Sequence, residues 1–255
     1  MQIFETHAHY DDEAFDKDRD NLLKQMHKDG VEYIVNIGCS MDNSRYIADW
    51  ITEYDFLYGT VGVHPSDIND LKETDMEELA SLSRRDKILA IGEIGLDYHY
   101  GTDNKEVQKH WFEEQLQVAK QEKFPVVIHS REAAKDTLDI MKGVHNGQTG
   151  GVIHCFSYGV EMAREYLNMG YFIGVGGVVT FKNARKLKEV VEYTPIEQIV
   201  LETDAPYLAP VPFRGKRNCS SYLTYVAEEI AAIKNLPVDR VYEITYDNAK
   251  RLYSI

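Results

Sequence analysis

A chain of 255 residues, 44% hydrophobic and 27% charged, can bury a full core and has the size of one large α/β barrel or of two small domains. Its three widely spaced cysteines, Cys39, Cys155 and Cys219, exclude a disulfide framework or a zinc knuckle, and no stretch approaches the roughly 20 apolar residues of a membrane span. The net charge of −14 excludes a broad basic face for nucleic acid, so a polyanionic substrate would be held locally, by cations and a few Arg or Lys side chains.

In chain order, β-rich runs are predicted at residues 2–7, 32–37, 57–63, 88–93, 126–129, 151–154, 171–175 and 198–203. Most are nearly continuous apolar runs, the pattern of a parallel strand buried on both faces. Polar, helix-favouring segments separate them. The clearest is 105–123, where Val107, Trp111, Phe112, Leu116 and Ala119 form one apolar face. The stretches 221–234 and 238–252 read as closing helices. Eight strand-then-helix units without a linker or repeat form the inventory of a single-domain (β/α)8 TIM barrel over residues 1–255. Periodicity alone also permits a doubly wound open sheet; the placement of the unusual residues selects the barrel. The segment MQIFETHAHYDD lacks a basic region followed by an apolar run, so a cytoplasmic location is expected.

Those unusual residues fall at strand ends. His7 and His9 close the first run as H-x-H and, because side chains alternate along a strand, face the same way. Glu93 closes the fourth run, His129 the fifth and His154 the sixth, while Asp204 follows the eighth. In a barrel these converge on the C-terminal face, where barrel enzymes place their catalytic groups. One such histidine alone would be read as a satisfied structural residue. Four imidazoles and two carboxylates ending apolar strands are instead the mixed N/O donor set of two divalent cations. A carboxylate such as Glu93 can bridge the pair. His27, His99, His110 and His145 are assigned no ligand role.

The motifs ETHAHYDD (5–12), GVHP (62–65), IGEIGLDYH (91–99), PVVIHSR (125–131), HCFS (154–157) and ETDAPYLAP (202–210) resemble, in order and across the chain, those of the TatD family of metal-dependent hydrolases. The resemblance implies the barrel and a two-metal site, with Mg, Mn, Zn, Ni or Fe as candidate ions. His7, His9 and Asp204 would hold one ion, His129 and His154 the other, and Glu93 would bridge. It further implies a deoxyribonuclease of 3′→5′ exonuclease character, acting on single-stranded DNA or 3′ ends, with no membrane and no obligate protein partner. Two departures stand out. Glu5 occupies a position where the family usually has Asp, and Cys219-Ser220 replaces a common Glu-Pro.

In that mechanism the ions activate a water and neutralise phosphoryl charge, and Asp204 serves as general base, with Glu93 the second catalytic carboxylate. His64 and Arg131 are candidate phosphate contacts, a guanidinium being able to bind two oxygens at once. Arg214, Lys216 and Arg217 form the one basic cluster on a loop expected to face the site. Tyr98 and Tyr207 are candidate stacking partners for a base or sugar. The alternatives are hydrolysis of a small phosphoester, lactone or amide on the same metals, or a metal-binding scaffold without catalysis.

Overall fold

The computed structural model describes residues 2–101, 103–145 and 149–255. In chain order the main elements are β1 (Ile3–Ala8), α1 (Arg19–Lys28), β2 (Val31–Asn36), α2 (Met41–Trp50), β3 (Leu57–Val61) and α3 (Glu73–Ser83). Then come β4 (Ile88–Asp97), α4 (Lys105–Glu122), β5 (Val126–Arg131), α5 (Ala134–Ile140), β6 (Gly151–Ile153) and α6 (Val160–Asn168). The chain closes with β7 (Phe172–Val175), α7 (Arg185–Tyr193), β8 (Ile199–Leu201), α8 (Leu223–Lys234) and α9 (Val238–Tyr253). Strand order follows chain order. Two compact units result. The first comprises the chain up to Asn36, Cys155–Arg164 and Ile173–Ile255; the second comprises Ile37–His154 and Glu165–Phe172.

In the first unit β1 pairs in parallel with β2, and β7 with β8. The chain leaving β8 returns to β1 through a parallel bridge between Ala8 and Ala205. Every residue of β1 is buried, as expected for a strand covered on both faces. Helix α9 lies against β1 and β8: Asn248 Nδ2 donates to the carbonyls of Ile196 and Ile199 at 2.7 Å each, and Tyr253 Oη donates to Thr6 O at 2.8 Å. Its apolar face stacks on Phe4, whose ring lies 5.9 Å from that of Tyr253.

In the second unit β3, β4, β5 and β6 pair in parallel in that order. All ten residues of β4 are buried. Two glutamines seven residues apart, hence on one face of α4, each clasp a backbone segment near the end of a strand. Gln115 accepts from Val63 N at 2.8 Å and donates to Val63 O at 3.0 Å; Gln108 does the same for Asp97, at 2.8 and 2.9 Å. Peptide groups beyond regular pairing would otherwise be left unsatisfied in the core, so the helix holds the backbone at Val63, just before His64, and at Asp97.

Candidate metal centre

His7 lies within β1, and His9 follows it in the next residue but one. Asp204 lies three residues beyond β8 in the left-handed region, with φ +58°. That conformation is unfavourable for a residue with a side chain, by on the order of 1 kcal/mol. It is held by Asp204 N donating to His7 O at 3.0 Å and His9 N donating to Ala205 O at 2.8 Å. The turn aims the Asp204 carboxylate back at the two imidazoles. His7 Nε2 is 3.2 Å from His9 Nε2, and Asp204 Oδ1 is 3.7 Å from the first and 3.4 Å from the second.

Those spacings fit a cation. Metal–ligand bonds of about 2.1 Å at a tetrahedral angle place neighbouring donors about 3.4 Å apart. The three donors bracket that value, and all can lie within 4.8 Å of one another.

The second unit gathers a second group, His64, Glu93 and His129, whose donor atoms also lie within 4.8 Å of one another. His129 Nδ1 is 2.8 Å from Glu93 Oε1, and its Nε2 is 3.0 Å from Asp97 Oδ2. Burial alone would lower the His129 pKa, but the two flanking carboxylates lift it to about 9. Asp97 is lowered in turn: burial raises it, and the hydrogen bonds from His129 and the His99 N–H, with the nearby charges of His129 and Arg131, together outweigh that. His64 lies edge-on to His129 with ring centroids 4.4 Å apart. His154 is buried one residue past β6, with its N–H donating to Ile128 O at 3.0 Å.

Here the structure corrects the sequence reading. Glu93 does not end its strand: β4 runs on to Asp97, pairing Gly95 with His129 and Asp97 with Arg131. The strand continues because Gly95, at φ +147°, lets it press against β5; a Cβ there would stand 1.9 Å from His129 O. Asp97 is therefore a site residue that the sequence reading missed. Its signal was a carboxylate four residues after Glu93 at the end of an apolar run. Glu202 was also missed. It is buried and accepts from Cys155 N at 2.6 Å.

The two departures from the family pattern meet in one place. Glu5 is fully buried and accepts the N–H groups of His7 at 3.0 Å and Thr203 at 2.9 Å. Burial pushes its pKa up to about 7, against hydrogen bonds from the Thr203 and Ser220 side chains. Ser220 Oγ is also 2.7 Å from Tyr10 Oη. The carboxylate one methylene longer than Asp and the hydroxyl in place of proline thus lie in one buried cluster beside His7.

The peripheral candidates divide. Arg131 is exposed at the end of β5, its guanidinium 5.5 Å from the Tyr100 ring centroid. Tyr207 is exposed and donates to Asp12 Oδ2 at 2.9 Å. Tyr98 donates to Asp136 Oδ2 at 2.9 Å, and one face of its ring carries the Lys105 ammonium at 4.7 Å. Of the basic loop, Arg214 rests 4.3 Å over Phe181 and Lys216 is exposed. Arg217 is instead tied down: it makes two 2.7 Å bonds to Asp18 and a 2.8 Å bond to Ala14 O. Among the histidines given no ligand role, His27 meets Val31 O, His99 meets Glu132 and His110 meets Glu73. The side chain of His145 lies outside the described residues.

A family profile described as "TatD related DNase" matches residues 4–254. The chain is 42% identical to the Bacillus subtilis protein named "Uncharacterized metal-dependent hydrolase YabD", covering 99% of each. It is 35% identical to the Escherichia coli protein named "Uncharacterized metal-dependent hydrolase YcfH", over 100% of this chain and 97% of that one. Among solved structures, the Escherichia coli TatD homologue YjjV superposes with a TM-score of 0.91 at 29% identity, covering 99% of this chain and 98% of that one. The fold is the α/β class (β/α)8 barrel, eight parallel strands with helices between. Among the described residues no helix is long and apolar enough to cross a membrane.

Proposed function

This chain belongs to the TatD family of metal-dependent hydrolases, and on that premise we propose that it is a deoxyribonuclease removing nucleotides from the 3′ ends of DNA. The observation that carries the reading is the His7–His9–Asp204 cluster, whose donor spacings of 3.2, 3.4 and 3.7 Å suit a divalent cation. We assign His7, His9 and Asp204 to one ion, His129 and His154 to a second, and Glu93 to a bridging position, with residues 1–255 acting as one domain. Mg, Mn, Zn, Ni and Fe all accept such N/O ligation.

Bound there, the two cations would supply a water of lowered pKa and neutralise charge on the phosphoryl oxygens. The chain's own groups do the rest. Asp204, with 21% of its side chain exposed against 1% for His7 and 14% for His9, is the member of its cluster best placed to accept a proton from the attacking water and pass it to solvent. Water adds to phosphorus, the bond from phosphorus to the 3′ oxygen of the penultimate nucleotide breaks, and that oxygen takes up a proton. The products are a 5′-mononucleotide and a new 3′-hydroxyl. Glu93 and Asp97 hold the His129 ring from its two sides. His64 and Arg131 contact the phosphate, Arg214 and Lys216 meet the backbone upstream, and Tyr207 packs on sugar or base. The expected location is the cytoplasm.

A second reading, hydrolysis of a small phosphoester, lactone or amide, draws on the net charge of −14, which repels a long polyanion. One experiment separates the two. A 5′-labelled single-stranded oligonucleotide is incubated with metal-stripped protein after Mg, Mn or Zn is restored, beside Glu93→Ala and Asp204→Ala. The DNase reading requires a ladder shortening from the 3′ end, abolished by chelator and by both substitutions. DNA left intact with every cation, while bis-p-nitrophenyl phosphate is hydrolysed, would favour the small-substrate reading.

A further inference from the structure

A cavity of about 260 Å3 opens within the first unit beside Asp204, between the segment following β7 and the segment following β8. We propose that it receives the nucleobase of the nucleotide being released, an inference that rests on the DNase reading above. Four observations support it.

The lining is mostly apolar, with Phe156, Val178 and Leu187 presenting hydrocarbon and ring surface. Such walls suit the flat faces of a base, and stacking on an aromatic side chain favours a base without selecting its identity. Gly174 and Gly177 leave backbone in place of side chains along the wall. A Cβ at Gly174 would meet the Glu202 carboxylate at 2.3 Å, and one at Gly177 would meet Leu208 O at 2.1 Å.

Polar side chains share the lining with these apolar ones. Asn183 and Lys186 line the cavity and are both exposed. The Asn183 amide offers a donor and an acceptor to a base edge, and the Lys186 ammonium offers charge to the adjoining phosphate. Asp204 and Glu202 also line the cavity. Asp204 belongs to both the cavity wall and the candidate metal cluster, so a phosphate at the cluster carries its own base to the cavity mouth. Size is the last constraint. At about 260 Å3 the space lies below the roughly 300–1,000 Å3 of pockets that enclose drug-sized ligands. It takes a ring system and leaves the sugar and phosphate outside.

The site should therefore accept any of the four bases and reject a nucleotide without one. The test is titration of Mn-loaded protein with deoxyadenosine 5′-monophosphate and with 2-deoxyribose 5-phosphate, which lacks the base. Wild type should bind the nucleotide at least ten-fold more tightly. Ala184→Trp, which fills the cavity from its wall, should bring the two affinities within two-fold. Asn183→Ala, at an exposed position that does not threaten folding, should weaken the nucleotide several-fold and leave the sugar phosphate unchanged. Equal affinities in wild type overturn the proposal. So does nucleotide binding unchanged in Asn183→Ala and in folded Ala184→Trp. Oligonucleotide digestion run in parallel keeps the two readings apart. Base-dependent binding with intact DNA removes the DNase reading alone, and digestion without base dependence removes the cavity alone.

Discussion

Asp97 Oδ2 stands 3.0 Å from His129 Nε2, on the side of the ring opposite Glu93, which meets Nδ1 at 2.8 Å. Under the proposed assignment, in which His129 and Glu93 meet a cation through the Nδ1 side, Asp97 would orient the ring from Nε2, as outer carboxylates orient metal-binding histidines. Replacing Asp97 with Ala is expected to weaken metal binding 10- to 100-fold, read as the free-metal concentration at half occupancy. Asp97→Asn, which can still accept a hydrogen bond, should lose less. Metal affinity unchanged in Asp97→Ala would remove this positioning role.

Gly95 enables that relationship. With φ +147° and His129 O where a Cβ would stand, Gly95→Ala must move β4 away from β5 or strain both. The expected cost is at least about 2 kcal/mol of unfolding free energy, in line with other substitutions at special backbone positions, measured by urea denaturation. Gly101→Ala makes the control, since φ is also positive there but nothing lies within 4 Å of its Cβ; it should cost about 1 kcal/mol.

Asp136 sets an acid-side dependence. Lys105 first, then Lys109 and Tyr98, bond its carboxylate and hold its pKa well below the usual carboxylate range. Since the folded value lies under the unfolded one, the stabilisation is fully present above the unfolded pKa near 4 and is lost as pH falls through the folded value. Asp136→Asn should therefore lower stability at pH 7 by about 1 kcal/mol and flatten the decline below pH 4. Parallel curves for the two proteins across pH 2–5 would contradict this account.

The basic loop behind β8 divides into an ion-paired anchor, Arg217, and two exposed cations, Arg214 and Lys216. Arg217, tied to Asp18 by two 2.7 Å bonds and lying 4.8 Å over Phe15, should on conversion to Ala lower the melting temperature by a few degrees, consistent with a loss of about 1 kcal/mol. The KM for DNA should not change. Arg214→Ala and Lys216→Ala should leave stability intact, raise KM for an oligonucleotide, and each reduce the salt-dependence slope by about 1.

Much of this was legible in the sequence because buried parallel strands announce themselves as apolar runs, and an ionisable residue at the end of such a run needs a reason. The first strand and the long fourth helix were bounded to within a residue or two. What escaped was set by packing between strands. The continuation of β4 past Glu93 depends on how closely Gly95 approaches β5, which no single-strand pattern encodes, and Asp97 was hidden with it. Arg217 read as a free cation because its partner Asp18 is distant in sequence. The cavity beside Asp204 is built from glycines and apolar side chains that carry no motif of their own. Glu5 and Ser220 were each visible as departures, but their meeting over Tyr10 is a tertiary fact.

The central claim is that six residues hold two cations, and metal stoichiometry tests it most directly. Wild type, Asp204→Ala and His129→Ala would be saturated with Mn, freed of excess ion and analysed for bound metal per chain. The account predicts two equivalents in wild type and a loss of at least one in each variant, with circular dichroism unchanged. Two equivalents retained in both variants would place the metals elsewhere and contradict it.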